Sequence, residues 1–595
     1  MTLLRRGLAL LSTVLIACAA RGAEPAIPEG EQLLNLATRS TPQLSGPARD
    51  QGSVSRVAVT GQAFDHAWRV AVRERQSTSH HVQLAVPVAG EIARDDVLFL
   101  EFHARLVSTE HETGMIDASN VIELNGPPHS KALNPYPWSA DTEWKLIQIP
   151  LVSTAAIAER RAVINFRLGG AVQTVDIGGI SLRRMPAGSK VADLPRTQPE
   201  LYAGHEPDAP WRAVAAERIR EHRMADLAIR ARDADGKPLP DVSIHVDQTS
   251  HAFRFGTAVN NWRLFPENPT PAHARYAEIA AKHFNQGTLE SAHKWTVWER
   301  RRQQAIDTVE WLREHDMTVR GHVLLWPSWR RMPKHLAELK DRPDELRARI
   351  AAHFEDLLGT TRGIVTDWDV VNEPQTHFDI LDLLGHNYVI EAFQMARRLD
   401  PDARLFLNEA LNFNSVDKLR IFERQAVDWR SRGAPIDGLG IQAHYSGWSL
   451  TPPEKIWAEL DRLAAHGFAL QVTEFDIDTD DSDLQARYLR DFYTALFAHP
   501  AVDTIQMWGF WEGSHWKPKA ALWRKNWTIK PVGQAYVDLL ENEWRTRTTL
   551  ITAADGNATV RGFLGDYTLT LTRGDETRTV TVNLARDSAP VEVTW

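Results

Sequence analysis

Eight short runs rich in β-branched and apolar residues recur between about residue 250 and about residue 545, at 253–259, 284–289, 320–325, 367–371, 404–407, 438–442, 469–473 and 504–509. Segments with apolar residues at three and four spacing lie between them, as at 388–398, 418–429, 454–464 and 484–497, which is the period of a helix with one buried face. A buried strand followed by a helical crossover is the βα unit of a parallel sheet. Eight such units in roughly 300 residues are the complement of a (β/α)8 TIM barrel, an α/β fold.

Two of the runs end in a glutamate. Residues 366–374 read Thr-Asp-Trp-Asp-Val-Val-Asn-Glu-Pro, which delivers Asn372 and Glu373 at the carboxyl end of the fourth strand. Residues 468–476 repeat the pattern at the seventh, ending in Glu474 and, two residues on, Asp476. The carboxyl ends of barrel strands are where such folds carry their chemistry. Paired carboxylates there suit cleavage of a glycosidic bond, in which one group protonates the leaving oxygen and the other attacks the anomeric carbon or activates water.

At 595 residues the chain exceeds one core, and its flanks read as further β structure. Residues 27–187 hold seven or more short strand patterns with few helical periods, as expected for a β-sandwich. Their last part, 166–170 and 175–182, resembles the final strands of jelly-roll carbohydrate-binding modules. That resemblance makes Trp68, Tyr136 and Trp138 candidates for a sugar-stacking platform. A proline-dotted stretch, 188–211, reads as linker, and 212–250 as a helix plus a small β element. The barrel is expected over 251–546. The tail, 547–595, is a short β piece expected to pack with the strands at 226–247.

Arg5 and Arg6, the apolar run 8–17 and the small residues after it form a secretory signal pattern over 1–23, too short to span a membrane. This implies a secreted or cell-envelope protein. The lone cysteine, Cys18, either carries a lipid anchor of the bacterial lipoprotein type or is removed with the signal. No other stretch is apolar for long enough to be a transmembrane helix. A net charge of −9, with no basic cluster, argues against a nucleic-acid partner. The excess of 21 Trp over 9 Tyr suits a protein that stacks sugar rings. The sequence presents no metal-binding cluster or phosphate loop, and two-carboxylate hydrolysis needs no cofactor.

The barrel strands taken together resemble glycoside hydrolase family 10. The residues that carry the resemblance are 255–259, Glu290 with Lys294 and Trp295, Gly321 and His322 through Trp326, 369–374, 407–409, 436–438 with 442–444, 473–476, and Trp508 and Gly509 with Trp516. It covers about residues 250 to 542. It implies an endo-1,4-β-xylanase that retains anomeric configuration by double displacement on xylan; separately from the resemblance, a monomer is expected. By the same resemblance Glu373 is the acid/base and Glu474 the nucleophile. His444 and Asp476 support the nucleophile, and Asn372 meets the sugar 2-hydroxyl. Glu290, Lys294, His322, Trp326, Gln442, Trp508 and Trp516 bind the substrate. The residue types agree with that division, since a carboxylate beside His444 is favoured in its ionised form.

Several positions depart from the family pattern: Pro327-Ser328-Trp329 follows the third-strand tryptophan, Ser291 follows Glu290, Glu512 replaces an aspartate, and Trp511 is extra. These changes imply ordinary chemistry with altered subsites. Two alternatives share the fold: another β-1,4-glycanase of the cellulase kind, and a polysaccharide-binding protein without turnover.

Overall fold

The computed structural model describes residues 29–36, 40–109, 116–140, 142–197, 202, 204–414, 416–447 and 450–595. The signal pattern and Cys18 lie outside the described residues. The chain forms two units that divide near residue 198.

The first unit consists of two antiparallel sheets. One runs in the order Gly52–Ala58, His66–Val72, Gln173–Arg184, Val97–Thr109, Lys145–Val152, with Glu31–Gln32 added beside Gln173–Arg184. The other runs Gln43–Ser45, Gln83–Pro87, Ala162–Arg167, Ala118–Leu124, Lys131–Trp138. Alternate side chains from both sheets, among them Val70, Leu84, Leu100, Ile122, Ile164, Phe166 and Ile177, share one core. The fold is the expected sandwich, but the aromatic platform is not present as expected. Trp138 is 4% exposed and packs edge-on against Phe102 at 5.0 Å, while Trp68 and Tyr136 lie half-buried on the same core. Strand alternation turned these rings inward, where their area is better spent.

In the second unit eight parallel strands close a barrel. They are Arg254–Val259, Gln286–Leu289, Thr318–Leu325, Val365–Asn372, Arg404–Glu409, Gly438–Ile441, Ala469–Asp478 and Val502–Met507. Each pairs with the next, and the eighth returns to the first. The seventh runs five residues past its expected end because a three-residue strand, His444–Ser446, pairs alongside it and sets His444 opposite Asp476. On the outer, helix-facing side of the barrel, opposite in phase to Arg320 and Asp369, Trp368 lies over Gly321, where an added Cβ would come within 2.2 Å of the indole; glycine is there because the ring needs the space.

The tail and the 226–247 strands form one small β body. Met224–Arg232 pairs with Asn557–Phe563 and Val591–Thr594, and Ser243–His251 pairs with Arg547–Ile551 and Gly565–Arg573. Leu227, Ile229, Val246, Leu569 and Leu571 fill its core. The stretch expected to be linker is tied at both ends. The backbone N–H of Thr197 donates to Gln148 within the sandwich, and the Tyr202 hydroxyl donates to Asp491 Oδ2 at 2.7 Å on the barrel unit. Among the described residues no helix is long and apolar enough to cross a membrane, and no group of three or more His, Cys, Asp or Glu is placed to hold a metal ion.

Candidate active site

The fourth strand ends at Asn372, and the next residue turns sharply. Glu373 has φ +55°, a left-handed conformation that costs a side-chain-bearing residue energy and recurs where function requires it. The turn is held from both sides: Glu373 N–H donates to Asn408 O at 2.8 Å, and His377 N–H donates to Glu373 O at 2.8 Å. The carboxylate it presents accepts from Gln442 Nε2 at 2.8 Å and lies 2.8 Å from His377 Nδ1. Asn372 Nδ2 reaches it more weakly, at 3.4 Å.

Glu474 lies within the extended seventh strand and is 5% exposed. Asn408 Nδ2 donates to Glu474 Oε1 at 3.0 Å and to Asn372 Oδ1 at 2.9 Å, and Thr473 Oγ1 fixes the Asn408 amide by donating to its oxygen at 2.8 Å. The two glutamates are thus joined through two amides. Burial alone would raise the Glu474 carboxyl. The His444 hydrogen bond and the charges of His322, His444 and Lys294 outweigh it and hold the group below its ordinary value.

His444 has its Nε2 3.4 Å from Glu474 Oε2 and its Nδ1 2.9 Å from Asp476 Oδ2. Burial pulls the imidazole down, but Asp476 and then Glu474 push it up to about 9, so it is a cation at neutral pH. Asp476 is the anchor of this corner. It also accepts from Trp516 Nε1 at 2.9 Å and from Lys517 Nζ at 3.0 Å.

On the other side of the cleft, Lys294 Nζ sits 5.3 Å from the Trp326 ring centre and 5.6 Å from that of Trp508. His322 packs on Trp508 at 5.1 Å and on Trp326 at 6.0 Å. Below it lies a fully buried ion network in which Arg320 clasps Asp369 and Asp369 Oδ2 pairs with His322 Nδ1 at 2.8 Å. Glu290 accepts from Asn260 Nδ2 at 2.9 Å, and burial raises its carboxyl. Trp516, 54% exposed, stands at the rim with its ring 4.8 Å from that of His444.

The residues that depart from the family pattern divide by burial. Trp511 is not an added cleft wall: it is 5% exposed and stacks flat on Trp527 at 4.5 Å. The Trp329 ring is half-buried against the barrel core, and the residue's backbone N–H donates to Asp379 Oδ2 at 2.8 Å. Glu512 accepts from Lys525 N–H at 2.7 Å and holds its loop. Arg331, two residues beyond Trp329 and not among those departures, reaches the cleft: its guanidinium lies 4.1 Å over the Trp326 ring, and the residue is exposed.

A family model described as Glycosyl hydrolase family 10 matches residues 245–539. Endo-1,4-beta-xylanase 2 of Claviceps purpurea is 32% identical over 231 residues, covering 36% of this chain and 68% of the relative. The chain belongs to glycosyl hydrolase family 10. The anti-sigma-I factor RsgI6 of Acetivibrio thermocellus is 30% identical over 395 residues, 65% of this chain and 50% of that protein. Endo-1,4-beta-xylanase 1 of Arabidopsis thaliana is 24% identical over 353 residues, covering 58% of this chain and 36% of its own. The chain therefore spans half or less of these two relatives.

Within this family 10 barrel the structure gathers all twelve residues singled out from the sequence around one cleft, and adds others. Asn408 lies in the stretch 407–409 that carries the resemblance but had no role assigned, and His377, Lys517 and Arg320 gave no individual signal, because an amide or a cation near a strand end is informative only when its partner across the barrel is known. Glu409, from the same stretch, also had no role assigned. It is 1% exposed, accepts backbone N–H groups from Gln375 and Ala410 at 3.0 and 2.9 Å, and is pushed up to about 7, chiefly by burial. A carboxyl raised on folding is an extra cost to the native state at high pH: its contribution is whole below about 4.5 and is lost as pH rises through about 7. The stability advantage of the unsubstituted protein over Glu409→Gln should therefore shrink by about 3 kcal/mol between about pH 4.5 and about pH 8. Thermal melts of the two proteins across that window measure this, and an advantage constant with pH would refute it.

Proposed function

We propose that the protein is a retaining endo-1,4-β-xylanase, with Glu373 as acid/base and Glu474 as nucleophile. The observation that carries the reading is the contrast between two amide-linked carboxylates. Glu474 is surrounded by cations that favour its anion, and Glu373 stands on a strained turn with donors aimed at its oxygens. In the first step Glu474 attacks the anomeric carbon while Glu373 gives its proton to the departing sugar oxygen. In the second, Glu373 takes a proton from water, which displaces Glu474 and restores the original configuration.

His444, held by Asp476, keeps Glu474 ionised and returns the charge balance when the glycosyl ester forms. Asn372 is assigned to the 2-hydroxyl of the sugar at the point of cleavage, where the contact tightens as positive charge develops on the ring. Lys294, His322, Glu290 and Gln442 are assigned to the other hydroxyls, and Trp326, Trp508 and Trp516 to the sugar faces. The xylanase names of relatives such as those of Claviceps purpurea and Arabidopsis thaliana support xylan as the substrate. Export through the pattern at 1–23 completes the proposal, and a mass measurement of the mature chain would read it.

Reducing-sugar release from xylan, β-glucan and mannan in parallel, with proton NMR of the first anomer formed, tests the assignment. Xylan is expected to be the preferred polymer and the β anomer the first product. A first product of inverted configuration would remove Glu474 as nucleophile, and preference for glucan would replace the substrate. Including glucuronate-bearing xylan asks whether Arg331 on Trp326 alters the pattern of products.

A further inference from the structure

The outer face of the five-stranded sheet in the N-terminal sandwich is hollow. Outer faces of antiparallel sheets are ordinarily solvated. Here a cavity of about 650 Å³ lies over the face, and two of its polar side chains, Glu123 and Asn165, are each only 6% exposed. Strand register arranges the floor in rows. Ser45 pairs with Gln83 and Gln83 with Arg167, so one row crosses three strands, and Glu123 pairs with Lys131 further along. The residues that alternate with them, such as Leu84, Ile122 and Phe166, point into the core.

The chemistry of the floor is unevenly satisfied. Around Glu123 two cations share one carboxylate: Asn165 Nδ2 donates to it at 2.9 Å, Lys131 Nζ lies at 3.3 Å and an Arg167 nitrogen at 3.7 Å. Along the other row Ser45 Oγ, Gln83 Oε1 and Arg167 Nε have no partner. A hydroxyl, an amide oxygen and a guanidinium N–H left unmet side by side are rare in a folded protein and call for a ligand that both donates and accepts. Both cations lean on Glu123, so among the described residues no Lys or Arg of the lining is without a carboxylate neighbour to meet a free anion. Among the described residues its lining holds the imidazoles of His80 and His129 but no Phe, Tyr or Trp ring to anchor an apolar partner.

We propose that this groove is a second saccharide-binding site, taking a neutral oligosaccharide chain through its hydroxyls rather than by ring stacking. Its ligand need not be the polymer cut by the barrel, and the site does not depend on the reading of Glu373 and Glu474.

Calorimetric titration of the full chain carrying Glu474→Ala, with xylohexaose, cellohexaose and mannohexaose, reads the number of sites directly. Two sites are expected with at least one of these sugars. Adding Gln83→Ala and Arg167→Ala should remove one, or weaken it at least tenfold, with the other unchanged. Ser45→Ala, a smaller change on an edge strand, should weaken the same site several-fold with an unaltered melt, so a misfolded double variant would not decide the matter. Stoichiometry and affinities that are the same in all these proteins would overturn the groove. Absence of xylan cleavage by the otherwise unsubstituted chain would overturn the reading of the barrel and leave this titration intact.

Discussion

Glu474→Ala is expected to lower kcat by about 10⁴-fold or more on every substrate, because no other group can form the glycosyl-enzyme. Glu373→Ala should cost as much on xylan but far less on an aryl xyloside with a phenolate leaving group that departs without a proton. With that substrate the second step should become limiting, giving a burst followed by slow turnover, since the base that activates water is gone. Azide, which needs no deprotonation, should then restore turnover in Glu373→Ala and yield a β-glycosyl azide. In Glu474→Ala the same anion would enter from the nucleophile's side and yield the α product. Equal losses on activated and unactivated substrates for both variants would show that the roles are not divided between these two glutamates. The pair is sensitive to this test because Asn372 and Asn408 link the two groups while their surroundings differ.

The second large effect concerns His444. With the imidazole pushed up to about 9, the protonated ring contributes stability that is complete below about 6.5 and is lost as pH rises through about 9. The size is about 3 kcal/mol in total. The same cation helps hold Glu474 down. Replacing His444 by Asn removes a charge 3.4 Å from Glu474 Oε2 and leaves burial, which acts in the opposite direction. The acid limb of kcat/KM should therefore move to higher pH, by about one unit or more, with kcat lowered roughly 10² to 10³-fold at neutral pH. A limb that stays in place while activity falls would mean that His444 only binds sugar. Asp476→Asn gives a check from one residue further out. It should lower the His444 value and shift the same limb in the same direction, more weakly, because Lys294 and His322 still face Glu474.

Much of the barrel is legible in the sequence. The runs that end in Glu373 and Glu474 have the composition of buried parallel strands and the abrupt polar ending of a functional mouth, and both properties are local. The eight-unit count is also local, since each strand and helix declares its own period. What was misjudged depended on facing. Trp138, Trp511 and Trp329 have the composition of sugar platforms and cleft walls, yet each gains more by packing against its own core. For Trp138, which ends a strand, a one-residue change in phase decides between those outcomes, and composition carries no phase; Trp329 and Trp511 lie in turns and bridges whose path the strand pattern does not foretell. The far end of the seventh strand escaped notice for a related reason. Its extension through Asp476 requires the His444–Ser446 strand beside it, and that strand is too short to announce itself.

By itself, then, the sequence determined the strand and helix periods, the closed count of eight, and the identity of the two carboxylates. Only the tertiary structure decided how those carboxylates are joined. The relay from Glu373 through Asn372 and Asn408 to Glu474, the ion pair under His322, and the three donors gathered on Asp476 are contacts between strands far apart in the chain. Protonation states follow from those contacts, because desolvation and neighbouring charge belong to the assembled site and to no single residue.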